Sequence, residues 1–178
     1  MALPDMMYDQ DVTAKLPPLG VPCTYPASLQ EIEERFVISA PFCNERKYLF
    51  KALELFCRNI WSILPEAEVW VNGGFVTHKS WAAPKDIDVC VLYSILNIDD
   101  IVDKILQNST LQHIFHPTFG YIERVQPYGG MLDVFFVDPT DSESVKYWHD
   151  TWSTIKDKNG NISQGNRKGF IRISRKVR

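Results

Sequence analysis

Three short runs of β-branched, aliphatic and aromatic residues constrain the fold of this chain more than any other feature. They are Glu68–Asn72, Asp86–Tyr93 and Met131–Val137. Runs of this length and composition are typical of β-strands, and segments with helical periodicity lie between and around them. A chain with this order of elements is expected to form an α/β (α+β) fold, in which helices pack on one mixed β-sheet.

The N-terminal half carries two helix signals. Ser28 and Glu31 have the spacing of a capping box, which predicts a helix of about ten residues beginning there. A second helix is predicted from Asn44 to about Ile63, before Pro65. The apolar residues expected to face the core from these helices are Leu29, Ile32, Phe36, Tyr48, Leu49, Ala52, Leu55, Phe56, Ile60 and Ile63.

Weaker patterns predict the remaining elements. The expected segments are helices at 97–107 and 141–155, a helical turn at 111–115, strands at 121–125 and 168–174, and a turn at 157–161. The N-terminal turn of the 141–155 helix is acidic, which suits the helix dipole.

Length and composition indicate one globular domain. The chain has 178 residues, of which 45% are hydrophobic and 23% charged. Five of its eleven prolines lie before residue 28, so residues 1–27 are expected to form an extended arm and residues 28–178 a single domain. No apolar run approaches the roughly 20 residues of a spanning helix, and the first residues lack a signal-peptide pattern. We therefore expect a cytoplasmic protein without a membrane partner.

Charge is unevenly distributed along the chain. The formal net charge is −3, yet the last twelve residues contain six basic and no acidic side chains. A basic tail on an acidic body favours contact with an anionic partner such as RNA, a triphosphate or an acidic protein surface. The alternative is a solvated terminal segment. The four cysteines are scattered without a Cys-x-x-Cys pair, and we expect them to be reduced.

The residues that can carry chemistry lie around the three predicted strands. Gly73 and Gly74 follow the first strand, where glycine lets the backbone turn sharply and present amide groups to phosphate oxygens. Asp86 and Asp88 begin the second strand, and period-two alternation puts both carboxylates on one side. Asp133 lies inside the third strand, where burial of a carboxylate costs free energy unless the charge is paired or bound to a metal.

These three aspartates predict a metal site if their strands are neighbours. Three converging carboxylates repel one another, and a hard divalent cation such as Mg²⁺ (or Mn²⁺) relieves that repulsion. Two such ions can activate a hydroxyl and stabilise a leaving pyrophosphate. The alternatives are that the Asp-x-Asp pair forms a solvated turn, and that a core arginine or lysine holds Asp133.

The pattern Gly73-Gly74, Asp86-Ile87-Asp88 and Leu132-Asp133-Val134 resembles the nucleotidyltransferase superfamily with a DNA-polymerase-β-like palm. The resemblance covers roughly residues 68–174 and is nearest to the small nucleotidyltransferase-like proteins of bacteria and their phages. It implies a minimal palm in which Asp86, Asp88 and Asp133 are catalytic and bind the metals. It also implies that Asp133 acts on the acceptor hydroxyl and that the glycine amides hold the triphosphate.

Other residues are candidates for nucleotide contacts. Many members of that superfamily carry serine where Gly74 stands, and Thr77 or Ser80 can supply the missing hydroxyl. The candidate cations for phosphate are Lys79, Lys85, Arg167 and Lys168. The candidate aromatic residues for stacking on a base are Trp70, Phe75 and Trp81, with a place in the core as the alternative.

The histidines give weaker signals. His113 and His116 have a spacing that can ligate a metal, but no third ligand with zinc-like spacing accompanies them. His78 is expected in a solvated loop, and His149 is expected to pack on a helix.

The resemblance implies a Mg²⁺-dependent nucleotidyltransferase that binds an NTP, ATP included, and transfers a nucleoside monophosphate to an acceptor hydroxyl. The acceptor is an RNA end, a protein or a small molecule, and the small size of the chain fits a toxin–antitoxin or phage-defence setting by analogy. The alternative is a catalytically silent module of the same fold that binds a partner protein or nucleotide. A metal-dependent phosphohydrolase is a third option.

Overall fold

A mixed β-sheet forms the centre of the fold in the computed structural model, which describes residues 3–8, 13–20, 24–93, 103–104, 106–109, 112, 124–156 and 162–175. The strands are β1 (Met7–Tyr8), β2 (Ala14–Lys15), β3 (Thr24–Pro26), β4 (Glu68–Asn72), β5 (Ile87–Leu92), β6 (Arg124–Val125), β7 (Leu132–Val137), β8 (Thr154–Lys156), β9 (Ile162–Arg167) and β10 (Phe170–Ser174). The order in the six-stranded sheet is β3-β10-β4-β5-β7-β6. The pairs β3–β10 and β5–β7 are parallel and the others antiparallel, so the predicted α+β fold with a mixed sheet is confirmed.

The helices begin and end close to the predicted positions. Helix α1 (Leu29–Glu33) continues into a π-helical turn, Glu34–Ile38, and α2 spans Cys43–Ile63. The capping box is present, because Ser28 Oγ accepts from the Glu31 amide at 3.2 Å and the Ser28 amide donates to Glu31 Oε2 at 2.8 Å. The Ser28 amide and the Ser28 hydroxyl both donate to Glu31 Oε2, which favours the charged carboxylate and lowers the pKa of Glu31.

The buried stripe of α2 differs from the predicted one at two positions. Tyr48 and Leu55 are 71% and 44% exposed, whereas the other predicted α2 positions are buried. A rotation of about 100° per residue puts both side chains on the face opposite Leu53. The core positions beside Leu53 are filled by Phe50 and Cys57 instead.

The two faces of the sheet bury different sets of side chains. One face packs against α1 and α2 through strand residues such as Val69, Val71 and Val89. The other face packs against helix α3 (Ser142–Ser153) through a second cluster, which comprises Trp70, Cys90, Leu92, Val137, Trp152 and Phe170. Alternate residues of a strand point to opposite faces of the sheet. Polar residues of β5 that lie an even number of positions from Cys90 are therefore on the α3 face, as are the β7 residues paired with them.

The described part of the predicted N-terminal arm is extended and packs into the protein. Strand β3 is an edge strand of the main sheet, paired with β10. Ala14 and Leu16 are each 1% exposed. Residues before the expected boundary at residue 28 therefore contribute to both the sheet and the core.

The C-terminal part shows one further difference from the sequence expectations. Helix α3 begins after the N-cap Asp141 and ends at Ser153, and the next residues form β8, which pairs with β9. The hairpin partner β9 was not predicted, because its sequence Ile162–Arg167 has little apolar alternation. The predicted strand at 168–174 corresponds to β10, and only Arg124–Val125 of the predicted strand at 121–125 is described as a strand.

Several expectations fall outside the described residues. These are most of the helix at 97–107, most of the turn at 111–115, the turn at 157–161, and the pair His113 and His116. Three of the four cysteines, Cys43, Cys57 and Cys90, are described, and all three are free thiols. Among the helices in the described ranges, none has the length and hydropathy to cross a membrane.

Candidate functional site

Strands β4, β5 and β7 place three polar side chains in one row across the sheet. Asn72 pairs with Asp88 in the antiparallel β4–β5 ladder, and Asp88 pairs with Asp133 in the parallel β5–β7 ladder. Directly paired residues of neighbouring strands point to the same face. The two carboxylates therefore lie side by side on the α3 face, and Asp133 is only 6% exposed. The condition that the sequence analysis left open, that the strands of Asp88 and Asp133 are neighbours, is met.

The third predicted carboxylate is placed differently. Asp86 precedes β5 and is partly buried. Within the described ranges, no three His, Cys, Asp or Glu side chains form a group that could hold a metal ion. The full three-carboxylate cluster expected from the sequence is thus not assembled in this structure, although Asp88 and Asp133 are in register.

The two glycines after β4 have different structural roles. Gly73 has a φ of +81°, and a Cβ at this position would overlap Oδ2 of Asp88. A Cβ at Gly74 would meet Pro84 at 3.6 Å, which is an ordinary contact. Gly73 therefore lets the backbone approach the Asp88 carboxylate, whereas packing leaves room for a serine at position 74.

This difference predicts opposite outcomes for two matched substitutions. We expect Gly73→Ala to lower the free energy of unfolding by about 1–3 kcal/mol, because the new Cβ is strained at positive φ and displaces Asp88. Gly74→Ala should change it by less than about 0.5 kcal/mol. Urea denaturation followed by circular dichroism measures both values, and equal effects would contradict this account of the turn.

A cavity of about 450 Å³ lies beside the row of polar residues. Its walls come from the N-terminal segment, the turn after β4, the end of α3 and the loop before β10. The lining residues are Thr13, Lys15, Asn72, Gly73, Gly74, Thr77, Lys79, Trp81, Asp88, Phe135, Trp148, Thr151, Trp152, Thr154, Ile155 and Lys168.

Asn72 and Lys168 connect three walls of this cavity. The Lys168 Nζ donates to Asn72 Oδ1 at 2.8 Å, and Asn72 Nδ2 donates to the Trp152 carbonyl at 3.0 Å. Burial lowers the pKa of Lys168 to about 8; Asp88 opposes this shift, and Lys15 and Lys79 add to it. The charge of Lys168 is thus sensitive to the anions and cations around the cavity.

Six of the sequence-predicted site residues line the cavity: Gly73, Gly74, Thr77, Lys79, Asp88 and Lys168. The lining does not include Ser80, Lys85, Asp86, Asp133 or Arg167. The Arg167 guanidinium instead donates to the Asp150 carbonyl at 2.9 Å and the Ser153 hydroxyl at 2.9 Å, so it holds the end of α3. A role of Arg167 as a phosphate ligand stays a prediction.

The hydroxyl and aromatic candidates also separate into distinct roles. Thr77 Oγ1 donates to the Gly73 carbonyl at 3.1 Å, so this hydroxyl supports the glycine turn. Trp70 and Phe75 are buried in the core, which is the alternative expected for them, and Trp81 lines the cavity at 49% exposure.

Sequence reasoning missed the cavity residues from the arm, from α3 and from strands β4, β7 and β8. They are Thr13, Lys15, Asn72, Phe135, Trp148, Thr151, Trp152, Thr154 and Ile155. Asn72 had a usable signal, because an amide directly before a double glycine at a strand end is well placed to fix a turn. Lys15 had none, since it lies more than 50 residues before Gly73 in the sequence.

Arg46 fixes the loop that follows the glycines. This side chain of α2 is fully buried and donates to four carbonyls: Phe36 at 3.0 Å, Pro41 at 2.7 Å, Phe75 at 2.5 Å and Thr77 at 2.8 Å. Burial lowers the pKa of Arg46 to about 10. The guanidinium therefore ties one wall of the cavity to the helical layer.

His78 packs in the same loop and is not the solvated residue expected from the sequence. Its ring lies edge-on to Phe36 with centroids 5.7 Å apart, and its Nε2 is 3.1 Å from the Arg35 carbonyl. Burial, followed by the charge of Arg46, lowers the pKa of His78 from 6.5 to about 4. His149 is buried and packs near Phe170, in agreement with its predicted role.

The lowered pKa of His78 predicts a pH dependence of stability. Between pH 6.5 and about 4, the unfolded chain binds a proton at this residue more readily than the folded protein does. The stabilising contribution is therefore complete above pH 6.5 and is lost as the pH falls towards 4. We expect the unfolding free energy of wild type to fall more steeply over this window than that of His78→Gln. Parallel curves from urea titrations would refute this assignment.

Comparison with protein families places the chain in a group defined by sequence. A model described as "Family of unknown function (DUF6932)" matches residues 10–174. The chain belongs to this family. The DUF6932 match includes every residue that lines the cavity, from Thr13 to Lys168. Searches of curated proteins and of solved structures found no match.

Proposed function

We propose that this DUF6932 protein is a Mg²⁺- or Mn²⁺-dependent nucleotidyltransferase that transfers a nucleoside monophosphate from an NTP to an acceptor hydroxyl. One observation carries the proposal: Asp88 and Asp133 are paired in register beside the Gly73 turn, and Asp88 lines a cavity that lysines also line. Carboxylates and cations side by side suit a reaction in which a metal-bound triphosphate is attacked by a hydroxyl.

The cavity supports the binding of a nucleotide. Its volume of about 450 Å³ lies within the usual range for small-molecule sites. Lys15, Lys79 and Lys168 offer positive charge for phosphate oxygens. Trp81 and Trp148 offer aromatic surface for a base.

The donor set has the right chemistry for a hard divalent cation. Asp88 and Asp133 would hold it, because oxygen ligands are those that Mg²⁺ prefers. The bound ion would supply activation of the acceptor and charge stabilisation at the phosphates. Among the chain's own residues, Asp133 would accept the proton of the acceptor hydroxyl. The lysines would neutralise the departing pyrophosphate.

A catalytically silent module is the second candidate, and the composition of the cavity favours it. Among the described lining residues, Asp88 is the one carboxylate, and it stands against Lys15, Lys79 and Lys168. A cavity with this balance can bind a nucleotide through charge alone, without a metal or a reaction.

Labelled NTPs distinguish these candidates. The purified protein is incubated with each α-³²P-labelled NTP, Mg²⁺ or Mn²⁺, and either total RNA, protein extract or a small-molecule extract. Label that becomes covalently attached to one acceptor class, with release of pyrophosphate, is the expected result. Nucleotide binding without transfer would overturn the enzyme proposal in favour of the silent module. Release of inorganic phosphate without an adduct would overturn both in favour of a phosphohydrolase.

A further inference from the structure

The N-terminal strand β2 lies between the two segments that carry Lys79 and Lys168. The amide of Ala14 donates to the His78 carbonyl at 3.0 Å, and the amide of His78 donates to the Ala14 carbonyl at 2.9 Å. On the other side, the amide of Gly169 donates to the Leu16 carbonyl at 3.1 Å. The backbone of residues 14–16 is therefore hydrogen-bonded to residues directly adjacent to both lysines.

These backbone contacts gather three lysines around one cavity. Lys15 lies between Ala14 and Leu16, the two residues that make these backbone hydrogen bonds. It lines the cavity together with Lys79 and Lys168. Lys15 is only 8% exposed. Lys15 and Lys79 both disfavour the charged form of Lys168, so each of the two repels the charge of Lys168. Asp88 also lines the cavity, and its negative charge offsets part of this positive charge.

We propose that Lys15, Lys79 and Lys168 form a polyphosphate-binding site that is completed by the N-terminal strand and binds the triphosphate group without a divalent cation. Its place as the triphosphate subsite of an NTP rests on the proposed function. The physical basis is that an anion with several charges relieves the repulsion among the lysines and replaces the solvent that their burial removes. Thr13, on the same N-terminal segment as Lys15, also lines the cavity and adds a hydroxyl.

The geometry gives the N-terminal segment a binding role. Lys79 follows the turn after β4, and Lys168 lies in the loop before β10. Lys15, in contrast, comes from the N-terminal segment and lies 57 residues before Asn72 in the sequence. Because β2 is held by backbone hydrogen bonds to both neighbouring segments, main-chain contacts on either side of Lys15 fix the position of its backbone. A change of Lys15 should thus alter binding more than it alters the fold.

Inorganic tripolyphosphate in EDTA is the probe for this site. Binding to the full chain is measured by isothermal titration calorimetry and by the fluorescence of the tryptophans at the cavity. We expect Lys15→Met, Lys79→Met and Lys168→Met each to weaken binding by at least about 10-fold, because each removes one charge-assisted contact. Lys15→Arg should retain most of the affinity. The matched control is Lys47→Met, an exposed position on α2, which should bind as wild type does.

The outcomes separate this proposal from the proposed function. Tripolyphosphate binding in EDTA that is lost in folded lysine variants supports the site, whether or not nucleotidyl transfer is found. Absence of binding to wild type in EDTA overturns it, even if transfer with Mg²⁺ succeeds. Equal binding by wild type and Lys15→Met, with matching thermal melts, overturns the role of the N-terminal strand.

Discussion

Asp88→Asn and Asp133→Asn are each expected to reduce nucleotidyl transfer by at least about 1,000-fold, which is the scale of losing a group that acts only in the transition state. The amide keeps the size of the side chain, but it replaces one acceptor oxygen with an NH₂ donor and removes the negative charge needed to hold a divalent cation and accept a proton. The initial rate of label transfer with Mg²⁺ measures the effect.

The matched control is Asp150→Asn, because Asp150 is 53% exposed on α3 and contributes no side chain to the cavity. We expect this variant to transfer label at the wild-type rate. Thermal melts establish that the three variants are folded. Wild-type rates in folded Asp88→Asn or Asp133→Asn protein would contradict the nucleotidyltransferase proposal.

Arg46→Met is expected to lower the free energy of unfolding by about 3–5 kcal/mol, the range reached by the most damaging single substitutions. Methionine fills much of the volume but leaves the carbonyls of Phe36, Pro41, Phe75 and Thr77 without their guanidinium donor. The loop between Gly74 and His78 should loosen first, since two of these carbonyls belong to it. Urea denaturation gives the magnitude.

Two further variants make this prediction specific. Arg46→Lys keeps the charge but not the planar fork of donors, so we expect it also to be destabilised, by less than Arg46→Met. Arg58→Met, at an exposed position of the same helix, should remain within about 0.5 kcal/mol of wild type. A small effect of Arg46→Met, equal to that of Arg58→Met, would show that the four hydrogen bonds contribute little to stability.

The elements with strong local signals were predictable from the sequence. Strand β4 coincides with its predicted range, and β5 and β7 differ from theirs only by terminal residues. The capping box at Ser28 marked the start of α1. Local chemistry decides these features, because period-two apolar runs and a cap residue act through neighbours in the sequence. The hairpin partner β9 lacked such a signal, and pairing with β8 defines it.

For the site too, local sequence identified single residues, whereas strand pairing decided which of them lie side by side. Gly73, Asp88 and Asp133 were recognisable because each stands out against its own strand: a double glycine at a strand end, and carboxylates inside apolar runs. Their adjacency was conditional, since the sequence does not state which strands pair. The β5–β7 ladder supplied that relation by placing Asp88 directly opposite Asp133.

The carboxylates of the polar row and the glycine turn could therefore be predicted from the sequence. The cost of burying a carboxylate and the strain of a positive φ are properties of single residues. The walls of the cavity could not be predicted in this way. Lys15, Asn72 and Lys168 meet through backbone hydrogen bonds and one side-chain bridge between segments far apart in the chain. Such contacts exist only after the sheet has formed. A lysine in an arm has the same neighbours in the sequence whether it faces water or a binding site, so the sequence alone does not distinguish the two positions.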